Sequence, residues 1–271
     1  MRGFGTTHFD GDPHICCKLD DFVKLFVFHT PELTPTDTVP DCAIAIDVLR
    51  ATTTIASALA NGAATVRAFR DVDQLLSSSE QLPSQERIRA GERGGKQLDG
   101  FDLGNSPLEC VSEKVENRHF FISTTNGTRC LERIKSAKSL LTAALVNRKA
   151  VVDYLVKHQP ETVWMVGSGW EGSYALEDTV CAGAIVHTLH AQLNQQGNVS
   201  LNDLVGNDEL VGSLALFQQW QDDLLGLLHH ASHGHRLLRL NGHDDLSFCS
   251  QLDTLDILPI QREPGILVRN S

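Results

Sequence analysis

An acid, an arginine and three consecutive threonines follow one another at the end of a short apolar run. The run is CAIAI, and after it come Asp47, Arg50, Thr52, Thr53 and Thr54. Arginine grips oxyanions through two hydrogen bonds, and a helix start offers N–H groups to the same kind of ligand. A carboxylate beside such a site repels an anion unless it shares a divalent cation with it or attacks the phosphorus. The segment therefore predicts a phosphate site, and its alternative is a structural ion pair of Asp47 with Arg50 beside an ordinary helix cap.

A second polar turn follows another apolar run, HFFIS. It consists of Thr124, Thr125, Asn126, Gly127 and Thr128. An Asn-Gly pair alone is a common turn signal. Two hydroxyl-rich turns at the same edge of one sheet favour a cradle for phosphate or sulfonate. We therefore predict that these five residues bind substrate together with the three threonines of the first turn.

Two further acids, Glu177 and Asp178, stand near the start of a helical pattern that follows the run TVWMVG. Acids at this position often only balance the helix dipole. Mg²⁺, however, needs hard oxygen ligands and takes one or two carboxylates together with water and phosphate oxygens. We predict a Mg²⁺ site with Asp178 as the preferred ligand and with Glu177 and Asp47 as further ligands.

The segment GERGGKQLDGFDLGNSPLE contributes Glu92, Asn105 and Ser106 and contains five glycines, which permit close approach of backbone to a ligand. Its alternative is a solvated surface loop. Two mechanisms fit the predicted catalytic residues Asp47, Arg50 and Glu92. Either Asp47 attacks phosphorus, or a metal-bound water attacks with a carboxylate such as Glu92 as base, while Arg50 holds the phosphate oxygens.

These residues require elements that bring them together, and the sequence alternates apolar runs with helical patterns. The expected strands cover residues 23–30, 42–47, 64–70, 119–124, 139–145 and 162–169. Such alternation predicts an α/β fold with a largely parallel central sheet and helices on both faces. Ligands then bind outside the carboxyl ends of the strands. From about residue 201 the chain is expected to be helical.

The composition limits the class of protein and its partners. The chain has 271 residues and a formal net charge of −11, so nucleic acid and anionic membrane are not expected to bind. No run approaches the roughly 20 apolar residues of a membrane helix, and the start has no signal-peptide core, so a cytoplasmic protein is expected. We expect an N-terminal extension, 1–22, and a single domain, 23–271. The oligomeric state is left open, with a homo-oligomer among the alternatives.

Two other motifs carry alternative functions. GSGWEG matches the dinucleotide pattern G-x-G-x-x-G, but a glutamate stands where pyrophosphate would lie, so the signal is weak. The histidines suggest a metal cluster, but we interpret them as a solvated helix end; they are His229, His230, His233 and His235.

In combination and in order, five segments resemble the 2-phosphosulfolactate phosphatase (ComB) family over roughly residues 23–260. They are AIDVLRATTTIASALANGA, GERGGKQLDGFDLGNSPLE, STTNGTR, LVNRKAV and YALEDTVCAGAIV. The resemblance implies a three-layer α/β/α fold and a Mg²⁺-dependent phosphatase that turns 2-phosphosulfolactate into sulfolactate and phosphate, a step towards coenzyme M. The positions that match family motifs are Asp47, Arg50, Glu92, Asn105, Ser106, Thr125, Asn126, Gly127, Glu177 and Asp178. The alternatives are a phosphatase of another small phosphorylated acid and a non-catalytic protein that binds such anions.

Overall fold

A computed structural model describes residues 23–94, 96–197 and 199–270, so the expected N-terminal extension lies outside the described residues. The strands of the described part are β1 Lys24–Phe28, β2 Cys42–Ile46, β3 Thr65–Phe69, β4 Arg87–Arg93, β5 Lys96–Gln97, β6 His119–Ser123, β7 Ser139–Ala143, β8 Thr162–Gly167, β9 Pro259–Glu263 and β10 Ile266–Arg269. Its helices are α1 Ala51–Ala60, α2 Val72–Ser79, α3 Ser112–Val115, α4 Asn126–Ile134, α5 Arg148–His158, α6 Leu176–Gln196, α7 Leu201–Leu204, α8 Asp208–Trp220, α9 Leu224–His230, α10 Ser232–Arg239 and α11 His243–Cys249. None of the helices in these ranges is both long enough and apolar enough to span a membrane.

The strands form one sheet in the order β1-β8-β2-β7-β9-β10-β3-β6-β4-β5. Parallel pairing joins β1, β8, β2 and β7 in one group and β3, β6 and β4 in another. The antiparallel hairpin β9–β10 links the two groups. Helices cover both faces, so the prediction of a three-layer α/β/α fold with a largely parallel central sheet is confirmed.

All six strands expected from the sequence are present. Their apolar residues are buried between the sheet and the helices that cover it. Every residue of β2 is buried, and β1 alternates buried with half-buried positions. The expectation of a helical C-terminal part is correct up to α11 but wrong for β9 and β10. This hairpin turns at Pro264-Gly265, and Gly265 has a φ of +76°, a conformation that glycine adopts without strain.

Helices α1 and α4 pack against both groups of parallel strands. One apolar cluster contains Ala45 of β2, Leu59 of α1, Cys130 of α4 and Phe120 of β6. A second cluster places α5, α6 and α8 against the other face of the β1, β8, β2 and β7 group. The two helices that follow β2 and β6 therefore lie side by side between the strand groups.

The ends of β2 and β6 lie close together although the two strands are not neighbours in the sheet. Through the antiparallel hairpin the two strands are formally opposed, and five steps separate them in the sheet order. Helix α4, which follows β6, nevertheless packs against β2. A Cβ atom on Gly127, just after β6, would lie only 3.1 Å from Asp47 Oδ2, just after β2.

Candidate active site

A cleft of about 240 Å³ opens where the loops after β2, β4, β6 and β8 meet α10. This volume is near the lower end of the range for small-molecule sites, so the cleft suits a small molecule. The predicted site residues that line it are Asp47, Arg50, Glu92, Asn105, Thr124, Thr125 and Asn126. The structure thus brings residues from both parallel strand groups into one cavity.

Asp47 is the most deeply buried acid among the residues that line the cleft. Its Oδ1 accepts a hydrogen bond of 3.2 Å from the backbone N–H of Ala51 at the start of α1. The pKa of Asp47 is raised to about 6, with burial as the largest cause and the negative charge of Glu177 as a further one. The charges of His233 and Arg50 and the bond from Ala51 partly offset this rise. Keeping the charged form of Asp47 buried therefore lowers the stability of the folded protein, as is common for groups in functional sites.

Arg50 forms its ion pair with Asp245 of α11, 195 positions further along the chain. Ser106 Oγ donates to the other oxygen of Asp245 at 2.5 Å. The alternative ion pair of Arg50 with Asp47 is therefore not the one that forms in the described structure. Asp245 fixes both Arg50 and Ser106, and sequence analysis missed it because nothing local links the segment NGHDD to residue 50.

Glu177 and Asp178, in the first turn of α6, are buried and do not line the cleft, but their charges act on Asp47 or are acted on by it. Both carboxylate oxygens of Asp178 accept backbone hydrogen bonds, from Val48 N at 2.9 Å and from Gly169 N at 3.2 Å. Burial raises the pKa of Asp178 well above its usual range, and the charges of Glu177 and Asp47 raise it further. The three acids thus repel one another, and a bound cation would relieve that repulsion.

The carboxylate oxygens of these acids suit Mg²⁺ better than a metal that must take all of its ligands from the protein. Within the described ranges, no three acid, histidine or cysteine side chains converge as a ready-made metal site. Mg²⁺ does not need one, because it keeps several waters and takes one or two carboxylates. Asn105 adds a buried Oδ1 that has no hydrogen-bond partner among the described residues. Such an orphaned acceptor on the cleft wall suits a donor brought by a ligand or by its water.

The hydroxyls of the three threonines after β2 bond to backbone carbonyls rather than face the cleft. Thr52 Oγ1 lies 2.6 Å from Ala143 O, Thr53 Oγ1 donates to Val48 O at 2.8 Å, and Thr54 Oγ1 donates to Asn105 O at 3.2 Å. All three side chains are buried. The structure therefore does not bring the predicted substrate-binding hydroxyls into the cleft. A buried hydroxyl needs a hydrogen-bond partner, and here each hydroxyl has one in a backbone carbonyl of the protein itself.

The second predicted turn forms the start of α4, which faces the cleft. Thr124, Thr125 and Asn126 line the cavity, and Thr125 makes no side-chain capping bond. Thr128 Oγ1 instead donates to Thr124 O at 2.6 Å, within the turn. Arg93 Nη1 donates to Thr125 Oγ1 at 3.4 Å. The positive end of the α4 dipole and an arginine thus converge where an anion can bind.

Gly127 allows α1 and α4 to approach at the site. A Cβ atom there would lie 2.7 Å from Ala51 Cβ and 3.1 Å from Asp47 Oδ2. We expect Gly127→Ala to lower the free energy of unfolding by about 1–3 kcal/mol, because overpacking forces the backbone to shift. Urea denaturation followed by circular dichroism measures the change.

Gly212, inside α8, is the matched control, because a Cβ atom there meets nothing within 4 Å. Gly212→Ala should stabilise the protein by about 0.4–1 kcal/mol through the lower entropy of the unfolded chain. Equal effects of the two substitutions would contradict the tight contact at Gly127.

Helix α10 supplies cleft residues that sequence analysis placed on a solvated helix end. His233 and Arg236 line the cavity with Leu237. The His233 ring stacks on Trp170 with centroids 3.9 Å apart, and its Nδ1 lies 3.5 Å from Glu177 Oε1. The interpretation was therefore wrong for His233, although His230 and His235 are exposed. The available signal was the helical spacing of His233, Arg236 and Leu237, which places them on one face.

Comparison with known proteins identifies close relatives over nearly the whole chain. A family model described as 2-phosphosulpholactate phosphatase matches residues 28–264. A protein of Nostoc punctiforme named "Probable 2-phosphosulfolactate phosphatase" is 60% identical over 245 residues, covering 90% of this chain and 98% of the relative. Proteins of the same name from Trichormus variabilis and a Cyanothece species are 61% identical over 244 residues and 58% identical over 246 residues. These cover 90% and 91% of this chain and 98% and 99% of the respective relatives.

Proposed function

The chain belongs to the 2-phosphosulfolactate phosphatase family, and on that premise we propose that it hydrolyses 2-phosphosulfolactate to sulfolactate and phosphate. Such a reaction makes it a phosphoric monoester hydrolase. We also propose that this reaction is a step towards coenzyme M, as the family resemblance implies, and that the protein is cytoplasmic, as expected from its sequence.

One observation supports a phosphatase site most directly: a buried acid lies against the start of a helix that faces a small cleft. Asp47 and the first turn of α4 are held together at Gly127. The helix start and Arg50 can hold phosphate oxygens, while Asp47 lies close enough to act on the phosphorus or on its attacking water. A non-catalytic anion-binding site would have no use for a buried acid, because the acid repels the ligand.

A divalent cation resolves the electrostatic conflict between the acids and the substrate. The buried acids are Asp47, Glu177 and Asp178, and the substrate brings a phosphate, a carboxylate and a sulfonate. Like charges brought together in a poorly hydrated site cost several kcal/mol. We propose that Asp178, with Glu177 or Asp47, holds Mg²⁺. When bound, the cation would polarise the phosphate oxygens and offset the charge that develops on them.

The residues of the chain support two routes for hydrolysis. In one, Asp47 forms a bond to phosphorus as the bond to the leaving alkoxide breaks, and water then releases phosphate from the aspartyl group. In the other, water attacks directly and Glu92, on the cleft wall near the end of β4, takes its proton. Both routes leave an alkoxide that needs a proton. His233, held between Trp170 and Glu177, is positioned to supply it.

Release of inorganic phosphate tests the proposed function. Purified protein with Mg²⁺ should release phosphate from 2-phosphosulfolactate at a higher kcat/KM than from other phosphorylated 2-hydroxy acids. A preference for another acid would identify a phosphatase with a different substrate. Binding of these acids without phosphate release would establish the binding-protein alternative instead.

A further inference from the structure

The cleft contains three arginines whose guanidinium groups have different surroundings. Arg50 forms an ion pair with Asp245, and Arg93 bonds to Thr125 at the start of α4. Arg236 forms no hydrogen bond or ion pair with any residue that the structure describes, although it lines the same cleft. A guanidinium without a protein carboxylate is suited to an anion that a ligand brings, because its fork matches carboxylate and sulfonate oxygens.

An aromatic ring holds Arg236 at the cleft wall. Its Cζ lies 5.5 Å from the centroid of the Trp170 ring, within the range of a cation–π contact. Trp170 in turn stacks on His233, which precedes Arg236 by three positions on the same face of α10. The guanidinium group is therefore restrained before a ligand arrives, so that binding costs less side-chain entropy.

The location of Arg236 separates it from the groups assigned to the phosphate. Arg93 contacts the first turn of α4, and Arg50 follows β2, so both come from the strand ends that surround Asp47. Arg236 comes from α10, with Trp170 of the loop after β8 beside it. A substrate whose phosphate lies at Asp47 would point its remaining groups away from the strand ends, towards this wall.

Of the substrate's acid groups only the phosphate reacts, and the carboxylate and sulfonate still need partners. Glu92 and Glu171 also line the cleft and would repel these groups. We propose, on the basis of the proposed function, that Arg236 binds a non-reacting acid group of the substrate. It thereby makes the enzyme specific for phosphate esters that carry a second acid.

Turnover of three substrates by the Arg236→Ala variant tests this assignment. On 2-phosphosulfolactate, kcat/KM should fall about 10- to 100-fold, mainly through KM, as expected for the loss of a charged hydrogen-bonded pair. On phenyl phosphate, which has no second acid, the change should stay within about twofold. If kcat/KM falls on 2-phospholactate as well, Arg236 binds the carboxylate. If kcat/KM falls on 2-phosphosulfolactate alone, Arg236 binds the sulfonate. Either result supports the proposal.

Arg239, at the end of the same helix, is the matched control, because it is exposed and does not line the cleft. Arg239→Ala should behave like the unchanged protein, and Arg236→Lys should recover part of the lost affinity. Equal losses on phenyl phosphate and on the acid-bearing substrates, or no loss on either, would overturn the assignment.

A binding measurement separates failure of this assignment from failure of the proposed function. Calorimetric titration with sulfolactate, which carries only the non-reacting acids, needs no turnover. Arg236→Ala should weaken this binding about 10- to 100-fold even if the protein hydrolyses another phosphorylated acid or none. Unchanged sulfolactate binding in a variant with an unchanged melting temperature would overturn the role of Arg236.

Discussion

Phosphatase activity is expected to fall by about a thousandfold or more when Asp47 is replaced by asparagine, while the protein becomes more stable at neutral pH. The loss follows because both proposed routes place Asp47 at the phosphate, either as nucleophile or as metal ligand. Asparagine has nearly the same shape but carries no charge and is a poor nucleophile. Phosphate release under saturating substrate measures the effect.

The gain in stability follows from the direction of the pKa shift. Burial, as the largest cause, raises the pKa of Asp47 from 3.8 to about 6, so the folded protein binds this proton more tightly than the unfolded chain. The corresponding stabilisation is fully present below pH 4 and is lost as the pH rises through about 6. Asparagine cannot ionise, so the difference in Tm between variant and unchanged protein should grow from pH 4 to pH 7 and then level off. Thermal unfolding in EDTA follows it without bound metal.

Asp41, at the opposite end of β2, is a matched control whose pKa is shifted in the opposite direction. Its carboxylate accepts bonds from Lys138 and from both the backbone and the side chain of Thr162, and these lower its pKa, with the Lys138 bond as the largest cause. Asp41→Asn should therefore destabilise the protein at neutral pH but leave phosphatase activity intact. Near-normal turnover by Asp47→Asn would contradict the proposed site.

Removal of divalent cations is expected to abolish phosphate release, and added Mg²⁺ should restore it. The physical reason is the mutual repulsion of Asp47, Glu177 and Asp178: burial raises the pKa of Asp178, and the charges of Glu177 and Asp47 raise it further. Without a cation, these acids would oppose binding of an anionic substrate. Phosphate release after dialysis against EDTA, with and without added MgCl₂, measures the dependence.

The melting temperature gives an independent measure of the same cation. A ligand that binds the folded state alone stabilises it by mass action, so millimolar Mg²⁺ should raise the Tm of the EDTA-treated protein. Glu177→Gln should reduce this rise, because it removes one charge from the cluster. Full activity after exhaustive chelation would contradict the metal-dependent mechanism and leave Asp47 and Glu92 to act without a cation.

The parts of the site that are adjacent in the sequence could be predicted from local sequence patterns. The apolar runs before Asp47 and before Thr124 are short and continuous, which is typical of buried strands, and polar turns follow both. The order of the motifs was sufficient to identify the family. The positions of Asp47, Arg50 and the start of α4 at strand ends could thus be predicted without coordinates.

Tertiary structure alone decided which of these residues share a cavity and which partners they have. The hairpin β9–β10 separates the two groups of parallel strands, yet the packing of α4 against β2 brings the start of α4 beside Asp47. His233 and Arg236 of α10 line the cleft, and Asp245 of α11, which does not line it, pairs with Arg50 across 195 positions of sequence. The reason is physical: strand and helix periodicity arise from neighbours in the chain, whereas the burial of a charge or a hydroxyl depends on distant groups that packing brings to it. The threonines after β2 show the same limit, since backbone carbonyls of Ala143, Val48 and Asn105 take up their hydroxyls inside the protein.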